Sequence, residues 1–512
     1  MTSPQQQSAA SPAGREPAGD GRAGDSPAWA RLTADYRPLA GRSDLLLDAA
    51  GRPGACWHPL LDDLARLDQA GWERRLATAR RLIRENGVTY NVYDEAEGEA
   101  RPWELDALPL VIGRSAWSEL CRGLIQRARL AEALLADVYG PQRLIAGGRL
   151  PPHLIEGHPQ YQRWLAGVAP PGGARIHLHA IDLTLGPGGD WRVLSERADS
   201  PAGTGYALEN RIVASQLFPE LFREMGVTRL AGFFQAFRGS LQALSSVAQP
   251  NGVLLTPGPY NEAYFEHAYL ARYLGLALVE GDDLAVREGV VYLRTLAGLE
   301  RVDVVVRRID SDFTDPFVFR ADSALGVPGL TEAVRAGNVV VANALGGGVA
   351  GSPGMAAFLP QVCEALLGEP LLIENERSLW CGTPEGRAQV LDELPRLVVR
   401  DAFDSRPLFT RGSTARLGAE MPAAERRRLA QALERRGATF AAQELTPLAT
   451  APVLEEGRLL PRPVMLRAFV AWTPEGWQVM PGGLTRVALK KGSLVVNSSQ
   501  GGGTKDTWVL ED

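Results

Sequence analysis

The spacing of apolar residues predicts two long helices in the first third of the chain. Apolar positions recur every three or four residues between residues 72 and 85, and Gly87 follows where a helix C-terminus favours glycine. A longer stretch, from about residue 116 to 139, has the same spacing throughout. Each helix should therefore bury one face against a neighbour.

Alternation of apolar and polar residues then predicts strands. Residues 175–185 alternate and the pattern resumes at residues 190–194, so a turn at Gly186–Gly189 should join two strands of a hairpin. Further along, a strand at 253–256 and a strand at 277–279 flank a helical stretch. That order predicts a βαβ unit, which requires a right-handed crossover and a parallel sheet.

The rest of the chain combines both patterns. Strands are predicted at 293–307 and 338–341, which extends the open α/β region from about residue 248 to 390. The last part is predicted to be α+β, with an arginine-rich helix from 423 to 436 among strands at residues 397–399, 439–443, 464–472 and 477–480. Residues 1–28 are mostly small and polar and are expected to be a disordered tail.

Composition narrows the class of protein. Hydrophobic residues make up 45% of the 512 residues and the net charge is −6, without a sustained basic stripe, which argues against a nucleic-acid partner. The four cysteines are far apart, as expected in a reducing compartment. No signal-peptide pattern or long apolar run is present, so we expect a soluble, cytoplasmic protein with no membrane partner.

Lysine is nearly absent, and the last one lies in an unusual setting. Lys505 follows a glycine-rich stretch that includes Gly501, Gly502 and Gly503. Glycines allow a backbone to approach a phosphate closely, and an ammonium group adds a compact positive charge. Two interpretations follow from the spacing, an anion-binding loop or a flexible, solubilising tail.

Residues 194–211 lead from a strand through a polar loop into a helix, the kind of junction at which α/β enzymes place ligands. At this point the chain resembles the circularly permuted ATP-grasp proteins, which are related in their ATP-binding part to glutathionylspermidine synthetase. The residues that end this stretch, through Asn210 and Arg211, resemble the type 2 branch associated with all-helical "alpha-E" proteins. Further motifs that carry the resemblance lie at residues 87–93, 101–106, 306–310, 315–316, 325–329, 336–343, 480–486 and 499–510.

The resemblance implies the ATP-grasp fold, an α/β fold in which two α+β lobes hold ATP. It implies a carboxylate-amine ligase that uses ATP and Mg²⁺, forms an acyl phosphate and acts on a small-molecule or peptide substrate. The alternative is a degenerate ATP-grasp protein that binds nucleotide or peptide as a non-catalytic partner subunit, with an alpha-E type protein as a possible partner. With this resemblance, the chain is predicted to divide into four parts. These are a disordered tail (1–28), a helical region with the permuted ATP-grasp segment (29–247), an open pre-ATP-grasp-like α/β domain (248–390) and an ATP-grasp lobe with the adenine strand and the glycine-rich loop (391–512).

The family's metal ligands are only partly matched. Asp182 occupies the first ligand position, but the usual Glu-x-Asn triplet is replaced by Ser195, Glu196 and Arg197. Glu196 is one residue out of register and should face the other side of the strand, although it remains a possible metal ligand. Arg197 is a possible phosphate contact, and a surface ion pair with Glu196 or Asp199 is the alternative.

For the nucleotide, the resemblance implies contacts from the C-terminal lobe. Arg400 replaces the family's phosphate-binding lysine, and the flap that follows is poor in glycine. Gln443 and Glu444 match the segment that receives adenine and ribose, with an ordinary edge strand as the alternative. The phosphate contacts are predicted to include Arg467, Arg486 and the Lys505 loop. The predicted catalytic residues are Arg308, Arg467 and Lys505.

The predicted substrate site lies in the middle of the chain. Glu262 and Glu266 are four residues apart, so on a helix they would share a face and either receive an amine or repel each other in solvent. Arg307 is predicted to anchor a carboxylate, with a buried ion pair as the alternative. The full set of predicted substrate residues is Asn210, Asn261, Glu262, Glu266, His267, Arg307 and Asp310.

Overall fold

The computed structural model describes residues 29–91, 100–404, 414–489 and 502–511. Its α-helices are α1 (Ala30–Thr33), α2 (His58–Arg66), α3 (Gln69–Glu85), α4 (Arg114–Val138), α5 (Arg143–Ala146), α6 (Pro152–Glu156), α7 (Thr204–Leu217), α8 (Pro219–Glu224), α9 (Ala231–Ala243), α10 (Tyr264–Leu274), α11 (Leu330–Arg335), α12 (Pro353–Ala356), α13 (Leu359–Leu367), α14 (Pro384–Asp392) and α15 (Ala423–Arg436).

The strands, in chain order, are β1 (Thr89–Asn91), β2 (Ala100–Pro102), β3 (Leu105–Ile112), β4 (Leu178–Leu185), β5 (Trp191–Arg197), β6 (Gly252–Leu255), β7 (Ala277–Val279), β8 (Leu284–Arg287), β9 (Val290–Thr295), β10 (Gly298–Arg301), β11 (Val304–Arg307), β12 (Val340–Ala342), β13 (Glu374–Asn375), β14 (Ser378–Trp380), β15 (Leu397–Asp401), β16 (Arg416–Leu417), β17 (Phe440–Glu444), β18 (Thr450–Glu455), β19 (Arg458–Thr473), β20 (Gly476–Val479), β21 (Leu484–Val487) and β22 (Gly503–Val509).

The largest sheet, which we call the central sheet, joins strands from distant parts of the sequence. Its order is β13-β5-β4-β19-β21-β22-β3, and β18 and β20 also pair with β19. The predicted hairpin is present as β4 and β5, and β19 lies antiparallel to both β4 and β21. At the far edge β22 runs parallel to β3, so strands from the two ends of the described chain are neighbours.

The predicted βαβ unit belongs to a second sheet. Strands β12, β11, β6 and β7 form a parallel sheet in that order, and α10 connects β6 to β7. Every residue of β11 is buried, as expected for a parallel strand covered on both faces. A three-stranded antiparallel meander of β8, β9 and β10 follows β7.

A third sheet, which we call the small sheet, has the order β14-β17-β15-β16. The arginine-rich helix α15 has the bounds that the sequence predicts and packs near this sheet through Leu433. The α/β fold class is therefore confirmed. The four domain ranges stay a prediction, and the strands that follow the parallel sheet, β13 and β14, join the other two sheets. Within the described ranges, no helix combines the length and apolar character that crossing a bilayer requires.

A buried ion pair ties the edge strand β3 to β22. The side chain of Lys505 is fully buried, and its Nζ donates hydrogen bonds to Asp106 Oδ2 at 2.6 Å and to the carbonyl oxygen of Leu108 at 2.9 Å. Burial by itself lowers the pKa of Lys505, and the charge of Asp106 opposes that shift. The ammonium group is therefore held inside the protein by the strand beside it.

Two buried histidines are kept in the neutral form. His177 and His158 are almost completely inaccessible to solvent, and burial lowers the pKa of each imidazole to about 4. Neither ring nitrogen of His177 has a hydrogen-bond partner within the described ranges, and its ring lies edge-on to Trp472. Both imidazoles are therefore uncharged at neutral pH.

Replacing Lys505 tests its structural role. Lys505→Met should lower the free energy of unfolding by about 3–5 kcal/mol, because Asp106 would keep a buried charge without its partner. Changing both residues, with Asp106→Leu added, should restore much of the loss. Urea unfolding of the three proteins measures this. A single variant as stable as the wild type would contradict the role.

Acid should destabilise the protein through the buried histidines. In the unfolded chain an imidazole takes up a proton below about pH 6.5, whereas the folded state resists protonation down to about pH 4. Stability should therefore fall as the pH decreases between these values, by up to about 3 kcal/mol per histidine. His177→Phe should reduce this acid-induced loss of stability, measured by urea unfolding at several pH values. His153 is exposed, and His153→Gln is the control that should leave the loss unchanged.

Candidate functional site

One face of the central sheet carries a row of charged side chains, and we call it the arginine face. Arg467 on β19 lies directly opposite Asp182 on β4, and Arg486 on β21 lies opposite Met465, two residues from Arg467. Arg197 on β5 pairs with Ala180, two residues from Asp182. Because side chains two residues apart share a face, the four charged residues project to the same side.

Asp182 is fully engaged by its neighbours. Its Oδ1 accepts a hydrogen bond from Arg467 Nε at 2.7 Å, and its Oδ2 accepts one from Arg467 Nη2 at 2.8 Å and one from Ser195 Oγ at 2.8 Å. Burial alone would raise the pKa of Asp182, but Arg467 and then Arg486 and Arg197 outweigh it and hold the pKa well below its usual range. The carboxylate is therefore ionised and bound bidentately.

The arginines themselves are poorly solvated. Burial, and then the charge of Arg467, lower the pKa of Arg197 to about 9 and that of Arg486 to about 10. The Nε and Nη2 atoms of Arg197 are buried and have no hydrogen-bond partner among the described residues. Arg400, on β15 of the small sheet, also lies close enough for its charge to act on Arg197. We call Arg197, Arg400, Arg467 and Arg486 the arginine cluster.

The cluster adjoins a cavity between the central sheet and the small sheet. Arg400 lines this cavity together with Ser195, Ser352, Ser378 and Gln443. Gln443 bridges the two sheets, because its Nε2 donates to the carbonyl oxygen of Leu194 at 3.2 Å. The lining also includes Glu196 and several apolar residues, so the cavity offers a ligand apolar as well as polar contacts, with Arg400 as its positive charge.

Acidic and phenolic groups outside the central sheet act on the cluster. Burial, and then the charge of Glu262 and a hydrogen bond to it, raise the pKa of Tyr90, and both groups act electrostatically on Arg486. Beyond the end of β11, desolvation of the carboxyl group and then the charge of Asp199 raise the pKa of Asp310 to about 6, while the charge of Arg197 opposes this shift. The cluster is therefore within electrostatic reach of the carboxyl groups of Glu262 and Asp310.

Glu262 and Asn261 precede the helix that the sequence predicts around them. α10 begins at Tyr264, and the side chain of Asn261 accepts a hydrogen bond from the backbone nitrogen of Ala263 at 2.9 Å. Glu262 is exposed whereas Glu266 is fully buried, so the two carboxylates do not form the shared face that the sequence spacing predicts.

Glu266 holds the start of α7 instead of projecting into the site. Its carboxylate accepts hydrogen bonds from the backbone nitrogen of Gly203, at 2.7 and 2.9 Å, and from that of Gly205, at 3.2 Å. Gly203 has φ of +122°, which favours glycine there. Arg308 pairs with Glu266 at 3.2 Å and donates to the carbonyl oxygen of Pro201 at 2.6 Å. Both side chains therefore contact the polar loop, and the substrate role of Glu266 and the catalytic role of Arg308 stay predictions.

Three further predicted substrate residues also have internal partners. Arg307 forms a buried ion pair with Asp199 at 2.6 Å, which is the alternative that the sequence left open. The other two residues are His267 and Asn210. His267 Nδ1 is hydrogen-bonded to Thr256 Oγ1 at 2.9 Å, and the side chain of Asn210 is hydrogen-bonded to Trp103 and to Thr504. All three therefore have partners inside the protein, and their substrate roles stay predictions.

Glu196 faces away from the arginine cluster. Its register partner is Ile181, and its carboxylate accepts from Arg127 Nε at 3.0 Å and from Arg127 Nη2 at 2.8 Å. Arg127 lies on α4, which covers the opposite face of the sheet. The assignment of Glu196 as a metal ligand is therefore wrong for this arrangement, and its orientation is the one that strand alternation predicts.

The orientation of Lys505 also argues against the predicted phosphate contact of the glycine-rich loop. Lys505 pairs in register with Thr485, whereas Arg486 pairs with Thr504, so the lysine lies on the face opposite the arginines. With its ammonium group bound to Asp106, Lys505 is not placed to meet a phosphate at the cluster. Gly502 and Gly503 are buried beside it, and Gly501 lies outside the described residues.

The predicted adenine strand is a central strand of the small sheet. β17 pairs with β14 on one side and with β15 on the other, so its backbone is not a free edge for a base. The side chain of Gln443 still lines the cavity, whereas Glu444 pairs with Arg396 at 2.6 Å and is less favourably placed.

The donors present do not fit a divalent cation. Magnesium requires several oxygen ligands, yet both oxygens of Asp182 bind Arg467 and those of Glu196 bind Arg127. Within the described ranges, no group of three or more His, Cys, Asp or Glu side chains is arranged to hold a metal ion. The predicted Mg²⁺ site is therefore not supported by these residues.

Sequence reasoning gave no role to Tyr90, Ser195 or Arg127. Tyr90 and Ser195 lie within motifs of the resemblance, so their positions were marked but their contacts were not. Arg127 carried its own signal, because a charged residue with apolar neighbours in the buried row of a long helix needs an internal partner.

Two proteins of known sequence are similar to this chain along most of its length. The chain is 40% identical over 482 residues to an uncharacterized protein of Mycobacterium tuberculosis (strain ATCC 25618 / H37Rv), covering 93% of this chain and 85% of that protein. An uncharacterized protein of Synechocystis sp. is 39% identical over 470 residues, covering 91% of this chain and 97% of that protein.

A solved structure and a family model extend the comparison. The apo structure of a glutathione synthetase-like effector from Globodera pallida shares the fold with a TM-score of 0.54 and 10% identity, covering 88% of this chain and 99% of that one. The model of the circularly permuted ATP-grasp type 2 family matches residues 109–488, which include β4, β5 and the arginine cluster. The chain therefore belongs to the circularly permuted ATP-grasp type 2 family.

Proposed function

We propose that this ATP-grasp protein binds ATP between the central sheet and the small sheet and uses it in a ligase-type reaction. The observation that supports the proposal is the convergence of Arg197, Arg467 and Arg486 on the carboxylate of Asp182, with Arg400 close to Arg197. Several guanidinium groups close together favour an anionic ligand, and a triphosphate fits them. The adjoining cavity, lined by Gln443 and serine side chains, would receive the base and the ribose.

The chemistry that we propose is carboxylate-amine ligation. A carboxylate oxygen of the first substrate attacks the γ-phosphorus of ATP, the bond to the β-phosphate oxygen breaks, and ADP leaves. The amine of the second substrate then attacks the carbonyl carbon of the acyl phosphate, loses a proton and expels inorganic phosphate. The arginine cluster would stabilise the negative charge on the phosphoryl group during its transfer.

Two carboxyl groups near the cluster support a place for the amine. Glu262 acts electrostatically on Arg486 and Asp310 is within reach of the charge of Arg197, and an ammonium group would be attracted to these carboxyl groups rather than to the arginines. An amine must lose its proton before attack, and a carboxyl group whose pKa is raised is suited to accept it. The acceptor is accordingly proposed to be a small molecule or a peptide with a free amine.

A second candidate is a non-catalytic subunit that binds nucleotide or peptide. One observation favours this candidate. Arginines form ion pairs with both Asp182 and Glu196, the two predicted metal ligands. In this case the arginine cluster would hold a nucleotide without turning it over, and an alpha-E type protein would be the proposed partner.

Thermal unfolding with and without ATP, together with phosphate release from pooled carboxylates and amines, separates the candidates. ATP at about 100 times its dissociation constant should stabilise the fold by roughly 2.7 kcal/mol. Stabilisation with phosphate release that depends on both substrates supports the ligase, and stabilisation without turnover supports the second candidate. No stabilisation by ATP would contradict both as nucleotide-binding proteins.

Arg197→Gln should have opposite effects on binding and on stability. The change removes a phosphate donor, so the affinity for ATP should fall by at least about tenfold. It also removes buried N–H groups that have no partner, so the ligand-free protein should gain about 1–3 kcal/mol in unfolding free energy. Calorimetric titration and urea unfolding measure the two effects. Arg81 is an exposed residue of helix α3, and Arg81→Gln is the matched control. That variant should change neither the affinity for ATP nor the free energy of unfolding.

A further inference from the structure

We propose that the arginine cluster binds the triphosphate of ATP without a divalent cation, with Arg197 supplying positive charge where the family's metal would be held. This inference rests on the proposed function, because it specifies the form of nucleotide that the same site accepts. It predicts that the ligand is the metal-free nucleoside triphosphate.

The first step is that Asp182 has no oxygen to give to a metal. Arg467 binds both carboxylate oxygens, at 2.7 and 2.8 Å, and Ser195 adds a third hydrogen bond. Arg467 is held in turn, because its Nη1 donates to the carbonyl oxygen of Ala202 at 2.9 Å. A cation would have to replace a bidentate pair whose arginine is fixed at both ends of its guanidinium group.

The second step is that the other acidic residue of the expected triplet cannot reach the site. Glu196 projects from the opposite face of β5 and is bound by Arg127 of α4. Placing Glu196 on the arginine face would require a shift of β5 by one residue, and that shift would turn every side chain of the strand to the other face. Its buried partner Arg127 would then be left without a counter-charge.

The third step concerns charge. The guanidinium groups of Arg197, Arg467 and Arg486 act on the single carboxylate of Asp182, and the charge of Arg400 acts on Arg197. A guanidinium group has only donors, so it offers a metal no ligand and repels it. A doubly charged ion would be repelled by these groups, whereas the metal-free triphosphate carries negative charge that they attract.

The fourth step is that Arg197 is arranged to donate. Its Nε and Nη2 atoms are adjacent donors of one planar fork, both are buried, and neither has a hydrogen-bond partner within the described ranges. A phosphate accepts two parallel N–H bonds from such a fork. The position that the family assigns to an amide ligand is therefore occupied by a ready phosphate donor.

The test is calorimetric titration of the full chain with a non-hydrolysable ATP analogue, once with excess EDTA and once with excess Mg²⁺. We expect binding in EDTA at least as tight as in Mg²⁺, with the affinity in EDTA lost in Arg197→Gln and kept in the control Arg81→Gln. Binding that is about tenfold or more tighter in Mg²⁺ would overturn the inference while leaving the proposed function intact. Absence of binding in both buffers would overturn the proposed function and, with it, the inference.

A second measurement reports on the metal itself. With Mn²⁺ in place of Mg²⁺, adding the protein to the Mn²⁺-nucleotide complex should release Mn²⁺ and so increase the sharp electron paramagnetic resonance signal of aqueous Mn²⁺. Broadening of the signal that depends on Asp182, and is lost in Asp182→Asn, would show that the carboxylate releases Arg467 and binds the ion. That outcome would also overturn the inference.

Discussion

The ion pair between Asp182 and Arg467 governs the organisation of the candidate site. It lies in the central sheet and joins Asp182 on β4 to Arg467 on β19, so it connects the carboxylate to the arginine cluster. A single carboxylate offsets part of the repulsion among several arginines in a poorly solvated space. Because an isolated buried charge is costly, this arrangement requires each strand to keep its register, and the register in turn sets which residues share the arginine face.

The predicted charged site residues divide into two kinds. Lys505, Glu266 and Arg307 satisfy partners inside the protein and fix strand β22, helix α7 and the end of β11. The arginine cluster is different, since three guanidinium groups act on the one carboxylate of Asp182 and Arg197 retains unused donors. Unused donors, more than charge alone, therefore separate the site from the scaffold.

The secondary structure could largely be predicted from the sequence, because periodicity depends on neighbours along the chain. The helix at 423–436 and the hairpin of β4 and β5 are examples. The partners of charged side chains could not be predicted in this way. Asp106 and Lys505 are 399 residues apart, and nothing near either one indicates the other. Alternation along β5 did predict which way Glu196 faces, although the family pattern still favoured it as a ligand.

The pairing of β3 with β22 has a consequence for synthesis on the ribosome. β3 leaves the exit tunnel early and remains an unpaired edge, with the carboxylate of Asp106 lacking its ammonium partner, until residues 503–509 have followed it. The central sheet therefore cannot close during translation of most of the chain. Exposed strand edges invite association with other chains, so nascent copies should depend on chaperones for longer than a protein folded from consecutive segments.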